Sequence, residues 1–251
     1  MISLENNVAL ITGGSRGIGA ATAVLLANAG SHIILNYARE QSRAAGIAEA
    51  IRASGRKVLV HQANVADADA VQELVQRGIR EFGKIDIVVN NAGIWTYGEI
   101  GSFPRGVWEE TIAVNLTGVF NVCNAVVPHL KRNGGGRIIT IASTAGQRGE
   151  AFHSHYAASK GGVLAFTKSL AVELAPFNIL VNAVSPGWVD TEMTDEVLGS
   201  AESKQEIAAT IPLNKVATAE DVAGAVLFLA SKFAKHITGA TINVNGGSVL
   251  L

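Results

Sequence analysis

A short apolar run, Val8–Thr12, breaks into Gly13-Gly14-Ser15-Arg16-Gly17-Ile18-Gly19, and a helical pattern rich in Ala and Leu follows over Gly17–Ala29. No other feature constrains the fold as tightly. The apolar run reads as a buried strand, the glycines as a tight turn into a helix, and Gly30 as its stop. The alternation then recurs. Strand patterns over Ile33–Tyr37, Val58–Gln62, Ile85–Asn90, Arg137–Ala142, Ile179–Ser185 and Thr241–Val244 are separated by helical ones over Gln41–Ser54, Ala68–Phe82, Gly106–Lys131, His155–Ala175 and Ala219–Ser231. Strands that alternate with helices imply an α/β fold, a parallel sheet with helices on both faces. With 251 residues, of which 48% are hydrophobic and 16% charged, a single domain over residues 1–251 is expected. Such apolar composition also suits an oligomer. Asp190–Asn214 breaks the rhythm after the end of a strand. It reads as a lid over residues 190–214 or as an ordinary long loop.

Bulk properties narrow the partners. A net charge of −1 provides no basic stripe, so neither nucleic acid nor an anionic membrane is expected. The single Cys123 cannot form an internal disulfide, and within the apolar run Val119–Val127 it reads as a buried thiol. The first residues, MISLENNVALITGG, lack the cationic region of a signal peptide. No uninterrupted apolar run reaches the about 18 residues of a membrane span, so the cytoplasm is the expected compartment.

Chemistry enters at Tyr156 and Lys160. On a helix, residues four apart share a face, which places the ammonium beneath the phenol. A nearby cation favours phenolate, so the phenol pKa is expected to fall towards the working pH. A tyrosine tuned in this way serves as general acid for a carbonyl or general base for an alcohol. A surface lysine beside a half-buried tyrosine would give the same spacing by chance, so the pair needs a cofactor around it. The glycine turn provides one possibility, because backbone there can approach a pyrophosphate at a helix N-terminus. A carboxylate at the end of the second strand would bind a ribose 2′-hydroxyl; here the residues are Asn36-Tyr37-Ala38-Arg39. With no acid there, and with Arg16 and Arg39 able to converge on a 2′-phosphate, NADP(H) is expected over NAD(H). Asn90-Asn91-Ala92-Gly93 ends a strand with small residues, leaving room for a ribose or adenine. Asn90 itself can tie neighbouring strands. Pro186-Gly187 ends another strand, on the nicotinamide side.

TGGSRGIG at 12–19, NNAG at 90–93, Asn115, Ser143, Tyr156-x-x-x-Lys160 and PGWVDT at 186–191 occur in order. In this combination the chain resembles the short-chain dehydrogenase/reductases over essentially its whole length. NLTGVFN at 115–121, GGRIITIAS at 135–143, YAASKGGV at 156–163 and ITGATINVNGG at 237–247 are similar to the bacterial 3-oxoacyl-[acyl-carrier-protein] reductases in particular. The resemblance implies a Rossmann-type doubly wound parallel sheet of about seven strands. It also implies four catalytic residues. Tyr156 would donate the proton, and Lys160 would lower its pKa and bind the nicotinamide ribose. Ser143 would hold the substrate carbonyl, and Asn115 would hold a water linking Lys160 to solvent. Cofactor contacts carry over to Gly13, Ser15, Arg16, Ile18, Gly19, Asn91, Ala92, Gly93, Pro186, Gly187, Val189 and Thr191. Homotetramers are common in the family, with the last helix and strand at one interface.

Several positions depart from the family pattern. Asn64 replaces the usual Asp before Val65, which alters the adenine contact without removing it. Val172 stands where carrier-protein reductases have a basic residue, and Ile94-Trp95-Thr96-Tyr97 lacks the familiar Arg-Asp. Lys131 and Arg132 remain as basic residues before the fifth strand. The expected function is NADPH-dependent reduction of a ketone, foremost a 3-oxoacyl thioester, with an acyl carrier protein as a possible partner. Another ketone, alcohol or sugar is the alternative substrate, and a non-catalytic cofactor sensor the remote one. Pocket candidates are Trp95, Phe152, His153, His155 and Trp188. His153-x-His155 has no third ligand, so no metal is expected.

Overall fold

The computed structural model describes residues 2–250; the two terminal residues of the expected 1–251 domain lie outside them. Seven parallel strands run in the order β3-β2-β1-β4-β5-β6-β7. They are β1 Val8–Ile11, β2 His32–Tyr37, β3 Val58–Gln62, β4 Ile87–Asn90, β5 Gly136–Ile141, β6 Ile179–Pro186 and β7 Thr241–Val244. The intervening helices are α1 Gly17–Asn28, α2 Gln41–Ala53, α3 Ala68–Phe82, α4 Arg105–Ile112, α5 Gly118–Arg132, α6 Ala145–Arg148, α7 Ser154–Leu174, α8 Asp195–Leu198, α9 Ala201–Ala209 and α10 Ala219–Ala230.

Strand side chains alternate between two cores, as the period of two requires. From β1, Val8 and Leu10 join the core beneath α3, α5 and α7. Ala9 and Ile11 join the one beneath α1 and α10. Burial on both faces explains why β1 and β2 read as continuous apolar runs. Helix starts are specified locally. Asp67 caps α3 by accepting from the amides of Asp69 and Ala70. Thr218 and Asp221 form a reciprocal capping box on α10.

The expected single helix Gly106–Lys131 is instead two α-helices joined by a π turn, Ala113–Thr117, with Asn115 at its centre. Composition does not reveal a π turn, which is fixed by tertiary contacts. The whole span Arg105–Arg132 is long and apolar enough to cross a membrane by length and composition. Polar residues interrupt that span, and in the fold it packs against the sheet as a core helix. Val119, Val122, Cys123, Val126 and Leu130 face the sheet core. Asp190–Asn214 holds the two short helices α8 and α9, where a loose pattern was expected.

Order reverses between β1 and β4, so chain leaving these strands diverges and opens a cleft at their carboxyl ends. One contact fixes the helix on the far side of that cleft. A methyl group added to Gly146 of α6 would lie 2.5 Å from the carbonyl carbon of Lys160 and 2.7 Å from the amide nitrogen of Gly161. Both are backbone atoms of α7 and cannot rotate away. Gly146→Ala is expected to cost about 1–3 kcal/mol of stability, the usual range for overpacking. A lowered urea midpoint checks this, and an unchanged one would show that the two helices can part.

Candidate active site

The turn after β1 is locked to the end of β4. The Thr12 hydroxyl accepts from the amides of Asn91 at 3.0 Å and Ala92 at 3.1 Å. The Asn91 side chain donates back to the carbonyls of Thr12 and Gly13, at 2.9 and 3.0 Å. Gly13 has φ 63°, and a Cβ there would meet Ala92 Cα at 2.9 Å. Asn36, 1% exposed, accepts from the Gly13 amide at 3.3 Å and donates to the Ala63 carbonyl at 2.9 Å. Thus the asparagine at the end of β2 holds backbone together. Asn90 approaches Cys123 Sγ and Thr140 Oγ1, each at 3.5 Å, and so ties neighbouring elements as expected. Cys123 is buried, and burial pushes its thiol up to about 12, which makes it inert.

A cavity of about 840 Å³ runs from this turn to the start of α7. Gly13, Ser15, Arg16, Ile18, Arg39, Asn64, Val65, Asn91 and Ala92 line one end. Gly93, Ser143, Tyr156, Lys160, Pro186, Gly187 and Val189 line the other, and Thr191 stands over Gly17 of the turn. Gly19 is absent from the wall: a Cβ there would lie 2.4 Å from Asn91 Nδ2, so its role is to pack the turn against α1. The start of α1 has no side-chain cap, leaving first-turn amides free for an anion. With the two arginines at the rim, this end fits the phosphates of a nicotinamide dinucleotide. Arg39 reaches Glu110 at 3.7 Å, but its side chain is 87% exposed and so loosely held. Asn64 Oδ1 already accepts the Ala66 amide at 3.0 Å, leaving one lone pair for an adenine. Arg43 of α2 bonds Glu192, beyond β6, at 2.6 Å across the outer rim.

Around Tyr156 the chemistry is concentrated. Lys160, 5% exposed, donates to the Ile141 carbonyl at 2.7 Å, and its Nζ lies 5.7 Å from the Tyr156 ring centre. Ser143 stands beside the Tyr156 phenol and lowers its pKa, and its hydroxyl accepts the Ala145 amide at 3.1 Å. Asn115 is fully buried and lies off the cavity wall. It accepts from the Ile94 amide at 2.8 Å and donates to the Ile94 carbonyl and to Ser159 Oγ at 2.9 and 3.1 Å. Its side chain is therefore committed to holding the segment after β4. Gly93 separates it from Lys160: a Cβ there would stand 3.3 Å from Asn115 Oδ1 and 3.5 Å from Lys160 Nζ.

The expected fall in the phenol pKa is corrected. Burial pushes Tyr156 up to about 12; Ser143 opposes this and the Glu150 charge adds to it. Burial also pulls Lys160 down to about 8. Withdrawal from water disfavours both charges, so the lysine's attraction does not prevail here. A phenol that keeps its proton beside a hydroxyl is suited to donating that proton to a carbonyl oxygen.

At the substrate end, Trp95 and Trp188 line the cavity with ring centres 6.0 Å apart, edge to face. Phe152 and His153 do not line it. His153 stacks behind Trp95 at 4.4 Å, and the exposed Phe152 stacks on Tyr97 at 5.5 Å. His155 is buried against Phe103, with Nε2 3.1 Å from Thr96 Oγ1. Among the described residues no group of three or more His, Cys, Asp or Glu is placed to hold a metal. Sequence reading missed Arg148, Glu150, Met193 and Thr210 on the wall. No motif marks them, because loop geometry alone turns them inward. Lys131 and Arg132 end α5, just before β5 begins, at the amino ends of the strands and away from the cavity at their carboxyl ends.

The two shifts have opposite consequences for stability. Lys160 holds its proton less tightly folded than unfolded, so it costs stability below pH about 8. That cost is withdrawn as pH climbs from about 8 to the ordinary lysine value of 10.5. Tyr156 holds its proton more tightly, so its contribution is present below pH 10 and is lost towards about 12. Lys160→Met is therefore expected to exceed wild type in stability at pH 7, by on the order of 3 kcal/mol at most. The gap should shrink as pH rises from 8 to 10. Urea midpoints across that range check it; a gap independent of pH would contradict it.

Comparison with known proteins agrees with this geometry. A family model described as enoyl-(acyl carrier protein) reductase matches residues 13–248. The chain is 42% identical over 239 residues to a 3-oxoacyl-[acyl-carrier-protein] reductase FabG of Staphylococcus aureus, covering 95% of this chain and 96% of the relative. It is 41% identical over 251 residues to a 3-oxoacyl-[acyl-carrier-protein] reductase of Synechocystis, covering the whole of both. Among solved structures, a short-chain type dehydrogenase/reductase from Mycobacterium marinum superposes with a TM-score of 0.93 at 35% identity, over 99% of this chain and 98% of that one. Sheet order, cleft and relatives agree: the chain belongs to the short-chain dehydrogenase/reductase family, oxidoreductases that work on carbonyl or alcohol substrates with a nicotinamide cofactor.

Proposed function

We propose that the protein reduces a ketone to a secondary alcohol with NADPH, and that the ketone is a 3-oxoacyl thioester. One observation carries the reading: Ser143, Tyr156 and Lys160 meet at one end of a cavity whose other end has an uncapped helix N-terminus flanked by Arg16 and Arg39. The nicotinamide, when bound, supplies the hydride. Tyr156 gives its proton to the carbonyl oxygen, and the Ser143 hydroxyl donates to the same oxygen as negative charge develops there. Lys160 supports the phenolate left behind and holds the nicotinamide ribose. Asn115 fixes the segment that carries Gly93 between itself and Lys160, and its π turn is the place for a relay water. Two exposed arginines and no acid at the end of β2 favour the 2′-phosphate form of the cofactor.

The thioester is supported by the names of relatives at about 40% identity. A carrier protein as partner has less behind it, since Val172 is apolar and Lys131 lies over the Phe177 ring at 4.1 Å. Residues 190–214 serve as the lid. Their first residues and Thr210 line the cavity, and Lys204 pairs with Asp190. Exposed Phe120, Phe177 and Phe233 support an assembly of copies, which we take to be a homotetramer.

The test is NADPH oxidation, followed by absorbance, with a 3-oxoacyl thioester on a carrier protein and on a small thiol. Turnover with either is expected, with a lower KM for NADPH than for NADH. No turnover with either thioester would remove the substrate assignment, and a lower KM for NADH would remove the cofactor assignment. A strong preference for the carrier-bound form would establish the carrier as partner. Tyr156→Phe is expected to lower kcat by about 100-fold or more while NADPH still binds. Turnover at the wild-type level in that variant would rule out the mechanism.

A further inference from the structure

Four glutamates line the cavity, Glu40, Glu110, Glu150 and Glu192, and of these Glu150 is the one whose charge acts on the Tyr156 phenol. Glu150 follows α6 and Gly149, in the turn that leads into α7. Its side chain is 22% exposed, yet among the described residues it makes no side-chain hydrogen bond. Its ion-pair contact is His153 Nδ1 at 3.9 Å, too long for a hydrogen bond. That nitrogen lies 3.0 Å from the Ala151 carbonyl, which can only accept, so its proton points there. Glu150 therefore faces the cavity without a close partner, and its charge is felt at the phenol. Arg148 lines the same cavity but is exposed at the rim and forms no ion pair with Glu150 among the described residues. Lys160 is turned to the Ile141 carbonyl.

A ketone whose oxygen reaches both Ser143 and Tyr156 must place its neighbouring substituents in the field of Glu150. Water screens poorly inside a cleft, so a second negative charge there is opposed. A neutral ester feels no such repulsion. An ammonium is drawn in by the same charge. We infer that Glu150 is a specificity determinant that turns away ketones bearing a negative charge next to the reacting carbonyl and admits neutral or cationic ones. This rests on the reductase reading above and deepens it: a 3-oxoacyl group is accepted as a thioester and refused as the free acid. Selection of this kind works through repulsion of the wrong substrate.

The experiment compares kcat/KM with saturating NADPH for 3-oxobutanoate, its methyl ester and 4-(dimethylamino)butan-2-one, in wild type and Glu150→Gln. Wild type is expected to prefer the ester to the acid by at least about tenfold, and the amino ketone to the acid by more. In Glu150→Gln the ester-to-acid ratio is expected to fall by about tenfold. A ratio unchanged within about twofold, or a wild type that reduces the acid as well as the ester, overturns the inference. The wild-type series decides the matter even where the variant fails to fold. Absence of NADPH oxidation with all three compounds overturns the reductase reading and this inference together, an outcome distinct from an altered ratio.

Discussion

Everything at the cleft depends on how the chain leaving β1 is fastened to the chain leaving β4. Thr12 receives two amides from the NNAG segment, and Asn91 returns two hydrogen bonds to the turn. These bonds satisfy backbone groups that strand divergence would otherwise leave unpaired. They also bring Gly13 against Ala92 so closely that neither the turn nor the strand end can shift alone. Fastened in this way, the two walls stay apart and the first turn of α1 remains open.

The far wall is held by a different device. Backbone of α6 lies directly on backbone of α7, and the register of that contact sets where Tyr156 and Lys160 face the cavity. Both side chains are withdrawn from bulk water, which raises the phenol and lowers the ammonium. The site thus stores an unfavourable lysine and a reluctant phenolate. Such tension is common where a protein must hold a proton until a substrate oxygen arrives.

Much of this was legible in the sequence, and the reasons are physical. Strands buried on both faces read as apolar runs, so the alternation that defines the sheet stood out at Val8–Ile11 and His32–Tyr37. Tyr156 and Lys160 announced themselves through helical spacing, and the glycine turn through its lack of side chains. What stayed hidden depends on contacts between distant segments. The π turn at Asn115 exists because Ile94 and Ser159 claim that side chain. Phe152 and His153 promised a pocket by composition, but stacking on Tyr97 and Trp95 turns them away from it. Glu150 gave no warning, because a single acid in a loop is ordinary until the fold turns it inward.

The π turn also sets the phase of the longest helical span. Thr111, Asn115, Val119 and Cys123 are all buried, although steps of four residues drift around an ordinary α-helix by about 40° each. The wider turn takes up that drift and keeps them on one face. Removing one residue between 113 and 117 would restore an unbroken α-helix and yet turn α4 by about 100° relative to α5. Thr111 would swing out of the interior, or Asn115 would lose Ile94. A stretch whose composition looks permissive is therefore intolerant of any change in its length.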